Sequence, residues 1–308
     1  MMMINTQQYM TTDQKIINEI GSGEINQGER TIRIFENSGD SLLESKCLFC
    51  DKKLEYNLIV TAFNFSVYQK DYCDCDGSIE YWKHYHELYS AYNKIESDRW
   101  EKETTEKLVR GMMDRSRIGK RFRDRTFERF EINAKNKSAY DICLNYVENF
   151  KGLSEKGNGL VMLGAVGSGK THLAASIANY IIAEHKIQVV FGSVVSLLGE
   201  IKATYSDDST INETEILNEL KKTRLLIIDD LGKEKTSDWV SEIFYSIINY
   251  RYENYLPVIV TSNLTLKELA EKVGEATVSR LLGTSRVIKF EGKDYRTENR
   301  GFGKGEIT

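Results

Sequence analysis

The chain has little proline and histidine, and it lacks long apolar runs. Pro257 is the single proline, which argues against a proline-rich linker or recognition tail. No apolar run approaches the ~20 residues of a membrane span, and no N-terminal segment combines basic residues with an apolar core. We therefore expect a soluble, cytoplasmic protein with no membrane partner. A net charge of -4 confines any nucleic-acid contact to a local basic patch.

Cysteine is also scarce, but four of the five cysteines are clustered in two pairs. The clustered residues are Cys47, Cys50, Cys73 and Cys75. Clustered cysteines in a cytoplasmic chain favour a metal over disulfides, and four thiolates suit tetrahedral Zn²⁺. We therefore predict a structural zinc site formed by these four residues. The alternatives are free thiols, an iron–sulfur cluster, and replacement of one cysteine ligand by His84 or His86.

The strongest motif is a glycine-rich loop at residues 164–171, which read G-x-x-x-x-G-K-T. It follows the apolar residues 160–163 and precedes a segment, 172–185, without glycine or proline. In such a motif, the loop N–H groups and the positive end of the helix dipole bind phosphates. The lysine of the motif reaches the β- and γ-phosphates, and the hydroxyl of its threonine binds Mg²⁺. The sequence therefore predicts a site for ATP and Mg²⁺. Its expected ligands are Gly164, Gly167, Ser168, Gly169, Lys170 and Thr171.

A second apolar run, residues 225–228, ends in two acids, Asp229 and Asp230. Strands of a parallel sheet that is buried on both faces read as continuous apolar stretches, and ligands bind beyond their carboxyl ends. We expect Asp229 to hold Mg²⁺ and Asp230 to orient the attacking water. Because the second acid is Asp rather than Glu, hydrolysis is expected to be slow.

The 308 residues suffice for about two domains. From residue 126 to 308 the pattern predicts an α/β domain with a mostly parallel sheet. The expected strands are 159–163, 188–192, 225–229, 258–261 and 286–290, and the expected helices are 171–184, 194–205, 213–222, 237–253, 266–272 and 275–282. Before it we expect a polar, partly ordered segment (1–45), a zinc module with a long helix (46–114) and a basic linker (115–125). The linker arginines could form a solvated face, contact DNA phosphates or form a nucleotide-sensing hinge.

The order of these motifs resembles that of the AAA+ ATPases of the DnaC/DnaI type, which load the replicative helicase. The resemblance covers about residues 117–300. It also rests on residues 120–124, 258–263, 279–281 and 292–296. It implies an ATP-hydrolysing AAA+ domain without a helical lid, for which residues 291–308 would leave no room. It further implies head-to-tail self-association, and binding of a hexameric replicative helicase through the N-terminal module. Chains of this type are frequent in phage.

The resemblance assigns roles to further residues. Asn263 matches the sensor-1 residue at the γ-phosphate, Arg280 the arginine finger that reaches a neighbour's ATP, and Arg296 the sensor-2 position. Single-stranded DNA is expected at the positions that match Lys202, Tyr205, Ser237 and Trp239. An aromatic side chain beside a lysine suits base stacking and phosphate contact without sequence preference.

Two other functions compete with a loader. An IstB-type helper of transposition shares the ATPase core but binds duplex DNA and recruits a transposase. A four-cysteine module is expected of a loader and not of this helper. A binding protein that only sequesters a helicase disagrees with the intact Lys170, Asp229 and Asn263.

Overall fold

The computed structural model of the protein describes residues 45–46, 50–54, 56–60, 66–70, 73–205, 212–234 and 237–291. Most of the expected polar segment, together with Cys47 and Arg296, lies outside these ranges. The chain divides into two compact units, Met1–Thr104 and Thr105–Thr308. None of the helices in the described ranges combines the length and the apolar character needed to span a bilayer.

The first unit contains two small antiparallel ribbons and the start of a long helix. Strand β1 (Ser45–Lys46) pairs with β2 (Lys53–Leu54), and β3 (Tyr56–Val60) pairs with β4 (Ser66–Lys70). Helix α1 (Asp76–Arg115) begins directly after the second cysteine pair and is 40 residues long. It has no proline, so no residue in it interrupts the backbone hydrogen bonds.

The second unit is built on a five-stranded parallel sheet. Its strands are β5 (Gly159–Gly164), β6 (Val189–Ser193), β7 (Leu225–Asp229), β8 (Val258–Ser262) and β9 (Ser285–Phe290). They lie in the order β6-β7-β8-β5-β9, and every neighbouring pair is parallel. The predicted α/β domain with a parallel sheet is therefore confirmed. The carboxyl ends of β5, β7 and β8 meet at one edge, which is where ligands bind in such sheets.

Besides the end of α1, nine helices surround this sheet in the described part of the unit. They are α2 (Lys120–Arg123), α3 (Lys137–Glu148), α4 (Phe150–Glu155), α5 (Lys170–His185), α6 (Val194–Ala203), α7 (Glu213–Lys222), α8 (Asp238–Glu253), α9 (Leu266–Val273) and α10 (Glu275–Thr284). The predicted strands and helices end within about two residues of the observed ones.

The sheet separates two apolar cores, because successive side chains of a strand point to opposite faces. Leu160 and Met162 of β5 pack with α3, α4 and α5, whereas Val161 and Leu163 pack with helices α6 to α10. Both faces are thus covered, which explains why the strands read as continuous apolar runs.

Residues 115–125, the expected linker, pack on the second unit. The Phe191 N–H of β6 donates to the carbonyl oxygen of Ser116 at 2.8 Å, and the side chain of Ile118 is buried. The amide nitrogen of Asn179 on α5 donates to three carbonyl oxygens, those of Phe122, Arg123 and Arg125. These contacts fix α2 beside α5, the helix that begins in the glycine-rich loop.

A buried arginine connects α7, α8 and β8. The side chain of Arg251 is fully buried, and its Nη1 donates to the carbonyl oxygens of Leu220, Lys221 and Thr223 at 2.9–3.0 Å. Its Nη2 donates to the carbonyl oxygen of Pro257 at 2.7 Å. The last carbonyl groups of a helix lack partners inside the helix, so Arg251 satisfies the end of α7.

Candidate functional site

The glycine-rich loop adopts a backbone that requires glycine. Gly167 and Gly169 have φ of 76° and 96°, in the left-handed region that other residues rarely adopt. A Cβ atom at Gly169 would also lie 2.8 Å from the ring of Phe130. The loop therefore folds as the motif predicts, with Lys170 and Thr171 in the first turn of α5.

Lys170 joins the loop to the end of β8. Its side chain is 4% exposed, and its Nζ donates to the carbonyl oxygens of Gly164 and Ala165 at 2.7 and 2.8 Å. It also donates to Asn263 Oδ1 at 2.8 Å. The structure thus brings together Lys170 and Asn263, two residues expected at the γ-phosphate that lie 93 positions apart.

Asp229 and Thr171, the two expected Mg²⁺ ligands, are in contact. Thr171 Oγ1 donates to Asp229 Oδ1 at 2.9 Å, and Thr261 Oγ1 donates to the same oxygen at 2.6 Å. Burial raises the pKa of Asp229, although the hydrogen bond from Thr261 opposes this rise. A carboxylate beside a hydroxyl at the mouth of a phosphate-binding loop offers the oxygen ligands that Mg²⁺ prefers. These residues therefore fit a magnesium ion.

Thr261 also fixes the loop that follows β7. The Asp230 N–H donates to Thr261 Oγ1 at 2.9 Å, and the Leu231 N–H donates to the Thr261 carbonyl oxygen at 2.9 Å. Ser262 Oγ in turn donates to the carbonyl oxygen of Leu231 at 2.6 Å. Asp230 is held at a φ of 61°, an uncommon value for a residue with a side chain. Sequence reasoning missed Thr261, because only tertiary pairing brings it to the acids.

Lys170, Thr171, Asp230 and Asn263 line a cleft of about 740 Å³, a volume within the range of ~300–1,000 Å³ that small-molecule sites usually have. One wall is formed by residues 166–172, Asp230, Lys233 and Asn263. The other wall is formed by Arg121, Phe122, Arg125 and residues 130, 131 and 133–136, with Glu291 at the margin. The sequence did not predict residues 130–136 as part of the site. It linked the basic segment, which contains Arg121 and Arg125, to nucleotide only through the alternative of a nucleotide-sensing hinge.

The second wall is held against α5 and is stabilised by hydrogen bonds between its own residues. His172 Nε2 lies 3.0 Å from the carbonyl oxygen of Thr126, and its ring meets that of Phe130 edge to face at 5.2 Å. Burial lowers the pKa of His172, so the neutral ring donates to this carbonyl. Asn136 Oδ1 accepts from the Asn133 N–H at 2.7 Å and holds the turn that closes the wall.

Arg280 lies on α10 and is not among the residues that line the cleft. Its Nε donates to Asn249 Oδ1 at 2.6 Å, and its Nη2 donates to the Tyr245 hydroxyl at 3.1 Å. The guanidinium carbon lies 4.8 Å from the centre of the Tyr245 ring. Arg280 therefore does not contact the cleft of its own chain, and α8 holds its side chain in place.

Three of the four expected DNA-binding residues lie together. Trp239 Nε1 donates to the Tyr205 hydroxyl at 3.1 Å, and Lys202 Nζ lies 5.0 Å from the centre of the Trp239 ring. The Tyr205 side chain is 56% exposed, so an aromatic surface faces solvent. Sequence reasoning missed Glu213, whose Oε1 accepts from the Tyr205 hydroxyl at 2.9 Å.

The fourth residue, Ser237, has a structural role. Its Oγ accepts a hydrogen bond from the Val240 N–H at 3.3 Å, which makes Ser237 the N-cap of α8. Side chains of this type at the N-cap stabilise helices by about 1 kcal/mol. The structure therefore gives Ser237 a local function that does not require DNA.

Three clustered cysteines converge in the first unit. The sulfur atoms of Cys50, Cys73 and Cys75 lie within 4.8 Å of one another, and those of Cys50 and Cys73 are 3.3 Å apart. None of these three forms a disulfide. Soft thiolates that point to one centre fit a zinc ion. Cys47 and the side chains of His84 and His86 lie outside the described part of the chain, so the predicted fourth ligand stays a prediction.

Comparison with known proteins identifies relatives of the second unit. The family model described as IstB-like ATP binding protein matches residues 86–302. The phage-like element PBSX protein XkdC of Bacillus subtilis (strain 168) is 30% identical over 206 residues, which are 63% of this chain and 75% of XkdC. The replicative helicase loader DnaC of Escherichia coli (strain K12) is 27% identical over 209 residues, which are 67% of this chain and 83% of DnaC.

Coverage differs among these relatives. This chain spans 57% of the length of YqaM, an uncharacterized protein of Bacillus subtilis (strain 168) that is 32% identical over 184 residues. A crystal structure of the DnaC helicase loader matches with a TM-score of 0.51 and 28% identity. That match covers 56% of this chain and 100% of the solved chain. The second unit accordingly has a DnaC-like AAA+ fold.

Proposed function

Because the chain belongs to the IstB-like ATP binding protein family, we propose that it is an ATP-dependent loader of a replicative DNA helicase. The observation that carries this proposal is the contact of Lys170 with Asn263, and of Thr171 with the buried Asp229, where Lys170, Thr171 and Asn263 line one cleft. A protein that had lost nucleotide chemistry would have no need to keep these four side chains in register. Similarity to DnaC in sequence and fold supports the loader over other uses of this core.

The chain's own residues would bind and hydrolyse ATP as follows. The loop N–H groups and Lys170 hold the β- and γ-phosphates, and Asn263 contacts the γ-phosphate or its attacking water. Asp229 and Thr171 would hold the magnesium ion, which would neutralise charge that develops on the phosphates. Asp230 accepts a hydrogen bond from the attacking water and aligns it with the γ-phosphate. Arg280 acts on the ATP of a neighbouring copy, and Arg296 would contribute as sensor 2.

The partners would bind outside the cleft. The zinc module and α1 would bind the hexameric helicase in the cytoplasm, and the AAA+ domains would associate head to tail. Single-stranded DNA would stack on Tyr205 and Trp239, with Lys202 near its phosphates. The exposed Tyr205 ring and the lysine above Trp239 support this location.

An ATP-dependent helper of DNA transposition is the second candidate, because the family model is named for IstB-like proteins. The three converging cysteines favour the loader, since the helper is not expected to have such a module. The two functions differ in their DNA: single strands for the loader and duplex for the helper.

A loading assay tests the proposal. The protein is mixed with the replicative helicase of its host and a circular single strand, and helicase retained on DNA is measured with and without ATP. ATP-dependent loading is expected for the wild type and for Lys267→Ala, an exposed lysine on α9, but not for Lys170→Ala. Two results would contradict the proposal: loading that does not depend on ATP, and preferential binding to duplex DNA without binding of the helicase.

A further inference from the structure

The basic segment divides into arginines with protein partners and arginines that face the cleft. Arg117 Nη1 lies 2.6 Å from Glu200 Oε2, and Arg117 also pairs with Glu219. Arg123 Nη1 lies 3.1 Å from Asp114 Oδ1. These charges are already neutralised by the fold, so they explain only part of the segment's composition.

Arg121 and Arg125 differ from these neighbours. Both line the cleft, and within the described residues neither guanidinium group makes a hydrogen bond or ion pair. Their backbone is nevertheless fixed, because the side-chain amide of Asn179 donates to the carbonyl oxygen of Phe122 within α2 and to that of Arg125 just after it. A positive charge that has no protein partner, on the wall of a cleft that is expected to bind phosphates, is positioned to contact the nucleotide. Arginine also offers several donors in one plane, which suits phosphate and aromatic rings.

The first turn of α5 shows which end of a nucleotide these arginines would meet. Successive side chains of a helix point about 100° apart. Thr171 contacts Asp229, whereas the next residue, His172, contacts the carbonyl oxygen of Thr126. Thr126 follows Arg125 directly in the chain. Arg125 therefore lies on the side of the loop away from Asp229, and Arg121 in α2, just before it in the chain, lines the same cleft.

We propose that Arg121 and Arg125 bind the nucleotide at the end formed by its α-phosphate, ribose and base. This inference rests on the proposed ATP binding and extends it to a contact that ATP and ADP share. The γ-phosphate lies at the opposite end, beside Asp229, Asp230 and Asn263. The two arginines thus set affinity for the nucleotide as a class and do not distinguish its phosphorylation states.

The test compares Arg121→Ala and Arg125→Ala with Lys120→Ala, an exposed basic residue of the same helix that does not line the cleft. Calorimetry measures the binding of ATP and of ADP, and anisotropy measures the binding of a single-stranded oligonucleotide. Loss of a charged hydrogen-bond donor should weaken binding of both nucleotides about tenfold, and by the same factor. Arg125→Glu should weaken both further. Lys120→Ala should bind like the wild type, and every variant should melt like the wild type without nucleotide.

Four results would overturn the inference. Unchanged nucleotide affinity in both alanine variants would remove these residues from the site. Weakened ATP binding with normal ADP binding would place them at the γ-phosphate. Weakened oligonucleotide binding with normal nucleotide binding would make them DNA contacts. If neither the wild type nor Lys120→Ala binds ATP, the proposed function fails together with this inference. In the other three outcomes only the inference fails.

Discussion

Lys233 Nζ lies 2.5 Å from Asp230 Oδ2, so a lysine neutralises the carboxylate expected to orient the attacking water. Both residues line the cleft, beside Lys170 and Asn263. A carboxylate held in an ion pair is a weaker hydrogen-bond acceptor for water than a free one. We therefore expect this ion pair to slow the proposed hydrolysis of ATP.

Removing this restraint should accelerate the basal reaction. We expect Lys233→Ala to raise kcat for ATP hydrolysis about threefold, the rate equivalent of a solvent-exposed ion pair of ~0.7 kcal/mol. Steady-state phosphate release measures it, and Lys267→Ala serves as the control. A fall of kcat to the level of Asp230→Ala would show instead that Lys233 takes part in the reaction.

The aromatic cluster should bind single-stranded DNA. Stacking of a base on an aromatic ring contributes ~1–3 kcal/mol, so Trp239→Ala should weaken binding by about 5- to 150-fold. The matched control is Trp100→Ala, since this tryptophan on α1 is 70% exposed. Fluorescence anisotropy with a labelled oligonucleotide measures both. Equal losses in the two variants would argue against a specific site at Trp239.

The same aromatic cluster contains a carboxylate that we expect to weaken the binding of DNA. Glu213 accepts from the Tyr205 hydroxyl and places negative charge where phosphates would pass. Glu213→Gln keeps the acceptor and removes the charge, so it should tighten binding, most of all at low salt, and make affinity fall more steeply as salt rises. Weaker binding by this variant would contradict the assignment.

The cysteine cluster should hold about one zinc ion per chain. Elemental analysis of protein purified without chelators should find this metal, and Cys50→Ser/Cys73→Ser should lack it. Cys143→Ala is the control, because Cys143 is buried in the second unit, far along the chain from the cluster. A metal-free wild type would leave the three thiols without the proposed role.

His172 should make stability depend on pH. Burial lowers the pKa of His172, so the folded state favours the neutral ring while the unfolded ring is protonated below about pH 6.5. Unfolding therefore takes up a proton in this range, and the stabilisation present above about pH 6.5 is lost as the pH falls toward the folded pKa. His172→Gln keeps a donor for the Thr126 carbonyl without a titrating ring. The difference in free energy of unfolding between the two proteins should shrink from pH 7.5 to 5.5, and parallel curves would exclude the effect.

Arg251 should contribute strongly to stability. Arg251→Met removes the donors for four carbonyl oxygens, three of them at the end of α7. Breaking a buried polar network of this kind costs about 3–5 kcal/mol. Urea unfolding measures the loss, and Arg286→Met, at an exposed position of β9, should change stability little. A similar loss in both variants would point to an effect of methionine itself.

Local sequence determined much of this architecture. The glycine-rich loop and the two acids each lie within eight residues of chain, and the alternation of apolar strands and amphipathic helices is read over short windows. Thr261, Lys233 and residues 130–136 of the cleft wall were not predicted as parts of the site, and residues 121–125 were linked to nucleotide only as one of three alternatives. Thr261 reaches Asp229 only because β7 and β8 pair, and the orientation of Arg251 depends on the end of another helix. Such contacts depend on strand order, which periodicity does not encode.

The hydrogen bonds to Thr261 should slow the exchange of two backbone amide hydrogens with solvent. The amides of Asp230 and Leu231 come after the last residue of β7, yet each donates a hydrogen bond to Thr261 of β8. Their exchange with solvent would then follow the opening of the core and not the faster fluctuations of a surface loop. The backbone of Asp230 is thus anchored to the central sheet, so we expect it to keep its position whether or not nucleotide is bound.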